Sequence, residues 1–95
     1  MVEVRQTETF AKWLGTLRHR SAVGRIVARV ERIRFGNWGD HKRFDGLVEV
    51  RIDHGPGYRL YATERGGEIV ILLCGGDKRR QRADIAKAKQ LAAAL

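Results

Sequence analysis

Ninety-five residues with 43% hydrophobic content suffice for one domain with a modest core and exclude a second. Nineteen Lys and Arg against eleven Asp and Glu leave a net charge of +8 and a pI near 10.6, a field that draws nucleic acid, anionic lipid or an acidic protein segment. The single cysteine, Cys74, rules out an internal disulfide and a cysteine-based zinc site, and the charged opening with no long apolar run argues against a signal peptide and a membrane span, so a cytoplasmic location is expected.

Val2 and Val4 alternate with Glu3 and Arg5, the pattern of a short strand with one buried face. Thr7 or Thr9 is a suitable cap for a helix carrying Phe10, Trp13, Leu14 and Leu17. That helix stops near Arg18-His19-Arg20, and Ser21 is a second N-cap candidate. From Ser21 to about Phe35, Val23, Ile26, Val27, Val30 and Ile33 share one arc while Arg25, Arg29 and Arg32 occupy the other side, predicting an amphipathic helix with a solvent-facing basic stripe or a track for acidic partners.

Gly36-Asn37-Trp38-Gly39-Asp40 breaks that helix and starts a loop that carries His41, Lys42 and Arg43 toward Gly46. Val48, Val50 and Ile52 then alternate with Glu49, Arg51 and Asp53, a half-buried strand that ends in the turn His54-Gly55-Pro56-Gly57. Tyr58, Leu60 and Ala62 alternate with Arg59, Tyr61 and Thr63, and Gly66-Gly67 supplies the next turn. The unbroken run Ile69 to Leu73 predicts the central strand, covered on both faces. Cys74-Gly75-Gly76 reads as a strand-to-helix turn and Asp77 as the N-cap of a C-terminal helix with Ile85, Ala88, Leu91, Ala92 and Leu95 on one side. The predicted class is α+β: a small antiparallel sheet joined by the N-terminal strand, with a helical hairpin on one face and the other face at least partly open, displaying Arg51, Arg59 and Tyr61.

Two groups of cations stand out. Arg59 lies on a polar strand face, where it serves cross-strand ion pairs or offers a bidentate fork to phosphate oxygens. Lys78, Arg79, Arg80 and Arg82 crowd a helix start, where they oppose the dipole unless a polyanion occupies the cluster. His19, His41 and His54 have no metal-ligand spacing, so no metal is expected; His41 and His54 are loop histidines or candidate proton-transfer groups.

The stretches Arg34-Phe35-Gly36-Asn37-Trp38-Gly39-Asp40, Glu49-Val50-Arg51-Ile52-Asp53, Gly55-Pro56-Gly57-Tyr58-Arg59-Leu60-Tyr61 and Leu72-Leu73-Cys74-Gly75-Gly76-Asp77-Lys78, followed by Asp84-Ile85 and Ala88-Lys89, together resemble the RelE/ParE superfamily of toxins from type II toxin–antitoxin modules. The likeness is to its short HigB-like "addiction module killer protein" branch and covers nearly the whole chain, residues 1–95, as one toxin domain. It implies a RelE-like fold and a ribosome-dependent mRNA endoribonuclease. The implied partners are ribosome, mRNA and a cognate helix-turn-helix antitoxin, with no cofactor, metal or membrane.

Carried onto this sequence, the resemblance makes Arg59 the arginine at the scissile phosphate and Lys78 and Arg79 the basic residues after the last core strand. Lys42, Arg43, Arg51, Arg80 and Arg82 become RNA contacts. The tyrosine or histidine that several relatives carry near the C-terminus is missing after Arg82, and Arg79-Arg80 replace a Ser-Thr pair. Tyr61, His54 or no side chain at all remain as proton-transfer groups. A ParE-like inhibitor of DNA gyrase and a degenerate RNA- or antitoxin-binding module are the competing readings.

Overall fold

A computed structural model describes residues 1–95. The chain is α+β, with β1 (Glu3–Gln6), α1 (Glu8–Thr16), α2 (Arg20–Arg34), β2 (His41–Phe44), β3 (Leu47–Ile52), β4 (Tyr58–Arg65), β5 (Ile69–Asp77), a single 3-10 turn (Lys78–Arg80) and α3 (Gln81–Ala93). The strands form one mixed sheet in the order β1-β5-β4-β3-β2. β2 to β5 form an antiparallel meander, and β1 adds parallel to β5 with Val4 opposite Val70. No helix is long and apolar enough to cross a membrane.

Thr7 closes the first strand and opens the first helix. Its hydroxyl oxygen accepts from the Phe10 amide at 3.1 Å and its hydroxyl donates to the Leu73 carbonyl at 2.5 Å, so one side chain caps α1 and fastens it to β5. Ser21 does not cap α2. That helix begins one residue earlier, with His19 at the N-cap and no side-chain cap bond, and the Ser21 hydroxyl turns to His54 instead.

Residues 41–44 form a strand rather than the expected loop. His41-Lys42-Arg43-Phe44 is mostly exposed at a sheet edge, so it lacks the apolar alternation by which strands are recognised. Its turn is legible, however: Asp45 and Gly46 adopt φ of 52° and 76°, the doubly left-handed pair that makes Asp-Gly a tight hairpin connection.

β5 is internal and covered on both faces, but β4 occupies the centre of the sheet. β5 also runs on through Cys74-Gly75-Gly76 to Asp77, where a strand-to-helix turn is predicted. Tyr61 pairs with Cys74 but Ala62 with Leu72, leaving Leu73 as the extra residue of a bulge. The bulge explains why Leu73 and Cys74 pack into the same cluster.

α1 and α2 cover one sheet face over a core that includes Phe10, Ile26, Ile33, Val50, Leu60 and Leu72. Val27, placed on the buried arc by its spacing, is half exposed. α3 covers part of the opposite face through a smaller cluster of Leu47, Tyr61, Ile71, Leu73, Cys74 and Ala88. The second face is therefore open only beyond α3.

Candidate functional site

On the face shared with α3, the β3–β4 register sets Arg51 directly opposite Arg59 and Glu49 directly opposite Tyr61. Two facing arginines repel. Beside them lies Glu49, the one buried charged residue, 1% exposed. Its Oε1 is 3.2 Å from Arg51 Nε and 3.9 Å from Arg59 Nη1, and its Oε2 accepts from Gln81 Nε2 at 2.9 Å. A carboxylate withdrawn from water needs such partners, since an unpaired buried charge is expensive. Asp40 adds a longer contact, 3.6 Å from Arg51 Nη1.

The arginines open into a shallow cleft of about 230 Å³ lined by Asp40, Arg51, Ile52, Asp53, Gly57, Tyr58, Arg59 and Lys78. Lys78 enters it because its amide donates to the Gly57 carbonyl at 2.9 Å, which draws the start of the 3-10 turn against the β3–β4 connection. Arg51, Arg59 and Lys78 thus converge from β3, β4 and the 3-10 turn that follows β5. Asp40 and Asp53 moderate the positive charge. Gly76 pairs with Arg59 across the sheet, and the space its missing side chain leaves holds the Asp84 carboxyl, 1.9 Å from where a Cβ would stand.

Arg29 is the residue that spacing misplaces. Its Nη1 donates to the Arg51 carbonyl at 2.9 Å and, at longer range, to the carbonyls of Trp38 and Asp40. It therefore fastens the loop before β2 to β3 instead of facing solvent. Burial first, then the neighbouring Arg32, draws its pKa below the usual guanidinium value. Gly39, with φ +68°, packs where a Cβ would lie 2.9 Å from Arg29 Cζ. No periodicity signals this contact.

Tyr61, expected on the open face, is fully buried beneath α3 and does not line the cleft. Its hydroxyl has no hydrogen-bond partner. Burial, followed by the Glu49 and Asp84 carboxylates, pushes the phenol's pKa well above its ordinary value. A neutral, sealed phenol is a poor proton shuttle. His54 also lies outside the cleft, with Nε2 3.1 Å from the Ser21 hydroxyl.

Arg79 is turned away to pair with Asp77, 3.0 Å between Nη2 and Oδ2. That contact, with the Arg79 amide bonded to the same carboxylate, holds Asp77 below the usual carboxylate range. Asp77 thus caps the 3-10 turn rather than α3 itself. Arg80 and Arg82 are exposed; Arg82 lines a separate groove with Gln81 and Ile85. On β2, Lys42 lies opposite Glu49 and therefore on the cleft's sheet face, with its ammonium over the Phe44 ring. Arg43 is on the reverse face, stacked on Trp38 and paired with Glu64. Of the proposed cations, Arg51, Arg59 and Lys78 are brought together; the others are not.

These features define a small α+β domain with a cationic cleft at one end of its sheet. No family model matches the chain. It is 48% identical over 95 residues to an uncharacterized protein of Haemophilus influenzae, a match spanning 99% of this chain and 96% of that protein. The chain belongs to the family of that Haemophilus protein.

Proposed function

We propose that this protein is the toxin of a type II toxin–antitoxin module, a HigB-like member of the RelE/ParE superfamily. In this reading it acts in the cytoplasm as an endoribonuclease on ribosome-bound mRNA and is silenced by a helix-turn-helix antitoxin. The observation that carries the reading is the convergence of Arg51, Arg59 and Lys78 on one accessible cleft. The sequence resemblance supplies the reaction class.

In that reaction the ribose 2′-OH gives up its proton and bonds to the adjacent phosphorus, extra negative charge builds on the phosphoryl oxygens of the phosphorane, and the P–O5′ bond breaks to leave a 2′,3′-cyclic phosphate and a 5′ oxygen that takes up a proton. Arg59, whose guanidinium reaches Glu49 only at 3.9 Å, keeps donors for a phosphoryl oxygen. Lys78 supplies a mobile point charge beside it, and Arg51 a second fork. A well-placed donor of this kind contributes about 3 to 4 kcal/mol to a charged transition state. No histidine lines the cleft, and its titratable side chains near the cations are the Asp40 and Asp53 carboxylates, so proton transfer falls to one of these, to water or to groups on the ribosome.

The lack of a cleft histidine favours a second reading, a binding module that engages RNA or antitoxin without cutting. Primer extension on a reporter mRNA after brief induction separates the two. Translation-dependent cuts that disappear in Arg59→Ala, with antitoxin binding intact, support the nuclease. Growth arrest with altered DNA supercoiling and no cuts indicates a gyrase-type target, and no arrest indicates the binding module.

A further inference from the structure

We infer that Glu49 is the positioning residue of the cleft: its buried carboxylate holds the guanidinium groups of Arg51 and Arg59 apart and aimed outward, in the register needed to stabilise the charge that builds on one phosphate group as it reacts. The inference rests on the reading that the cleft takes a phosphate. Three observations on Glu49 meet. It is 1% exposed, so it touches no substrate and acts through its neighbours. Its Oε1 faces both arginines, and they are the two residues whose charges the sheet register forces together. Its Oε2 is held by Gln81 of α3, which fixes the carboxylate from behind and couples the arginine pair to the helix that follows Lys78.

A buried ion pair is a weak source of stability, because desolvation offsets most of the attraction. Removing only one partner leaves the arginine charge uncompensated and destabilises whether the carboxylate is a plain counterion or a positioning group, so stability does not separate the two roles. They differ in sign for anion binding. Removing a negative charge from beneath the two arginines strengthens their attraction for a phosphate, whereas loss of orientation weakens only the step that needs both forks in register.

The test uses the full chain carrying Glu49→Gln, with two readouts. The first is the 15N spectrum of the arginine Nε–H groups, with and without inorganic phosphate. Wild type is expected to show dispersed Arg51 and Arg59 signals that shift with phosphate; in Glu49→Gln they collapse toward the free-arginine position while phosphate affinity is unchanged or higher. The second is cleavage of mRNA on translating ribosomes, expected to fall about 100-fold, with Glu49→Asp restoring part of it. Unchanged arginine signals in Glu49→Gln overturn the inference, as do phosphate affinity and cleavage falling in parallel. If Glu49→Gln fails to fold, Glu49→Asp decides: its shorter reach must disperse the arginine signals differently from wild type, and identical spectra overturn the inference. Wild type that binds phosphate at these arginines but cuts nothing defeats the nuclease reading and leaves the positioning role standing; wild type that shows no phosphate shift defeats both.

Discussion

The two faces of the sheet are built to different rules. Under α1 and α2, twelve buried residues form a continuous apolar core. Under α3, a cluster half that size shares its layer with the Glu49 carboxylate, the unpartnered Tyr61 hydroxyl and the unpartnered Asp84 Oδ2. One face supplies stability and the other holds charge near a cleft, a division common where a polar site must be kept rigid at a cost that apolar burial elsewhere offsets. Gly75 and Gly76 show the division within two residues: the missing side chain of the first makes room for the Trp13 ring and that of the second for the Asp84 carboxyl.

The largest expected effect falls on the apolar face. Leu60, fully buried at the centre of that core, should cost about 2 to 5 kcal/mol when replaced by Ala, measured by urea unfolding. Leu73→Ala removes the same atoms from the α3 face, where Leu73 is equally buried. There the loss should sit at the low end of that range, because α3 rests on the small Ala88 and can settle inward. Equal losses would erase the distinction between the faces.

A sharper comparison uses the paired glycines. A Cβ at Gly75 would stand 2.3 Å from Trp13 Cζ3, a rigid ring packed between Phe10 and Tyr58. Gly75→Ala should therefore cost about 1 to 3 kcal/mol in thermal or urea unfolding. Gly76→Ala meets only the end of the Asp84 side chain, which can rotate away, so its stability loss should be smaller. Its effect should appear instead at Arg59, its cross-strand partner. A greater stability loss at Gly76 than at Gly75 would contradict the reading.

How much of this was legible in the sequence divides along the same line. The apolar face follows from period: Phe10, Ile26, Ile33, Leu60 and Leu72 are where helical and strand spacing place them. The N-terminal strand, helical hairpin, three of the four meander strands and C-terminal helix are likewise readable. β2 was missed because an edge strand needs no buried alternation, although Asp45-Gly46 announced its hairpin. The α3 face resisted because its contacts depend on register. A one-residue bulge at Leu73 and an α3 that lies over the polar side of β4 bury Tyr61, where alternation alone exposes it. Local pattern and family likeness single out Arg59 and Lys78 as candidates, and the structure places both on one cleft, but the burial of Glu49 and the clamp by Arg29 are tertiary facts without a sequence period.

Cys74 offers a smaller test of the α3 face through pH. Burial, then the nearby Asp84 charge, pushes its thiol from an ordinary value of 9.0 up to about 11. The folded state favours the neutral thiol, so this contribution to stability is present below pH 9 and lost as pH rises toward 11. Cys74→Ala should cost about 1 kcal/mol at neutral pH through lost packing. The gap between variant and wild type should narrow over that alkaline window. A constant gap would mean that the thiol is better solvated than its position under α3 implies.

The smallest effect is expected at Tyr61, and its smallness is informative. Removing a hydroxyl that has a good partner usually costs about 1 kcal/mol, but a buried hydroxyl without one is already unfavourable, so its removal carries little penalty. Tyr61→Phe should leave neutral-pH stability within about 0.5 kcal/mol of wild type. Above the ordinary phenol range it should become relatively more stable. The unfolded wild-type chain ionises there while the folded phenol, raised by burial and by Glu49 and Asp84, stays protonated, which pulls the wild type toward unfolding. Under the proposed function, mRNA cleavage should persist in Tyr61→Phe, since the hydroxyl does not reach the cleft. Loss of cleavage with stability intact would show that α3 moves aside during the reaction and brings Tyr61 to the phosphate.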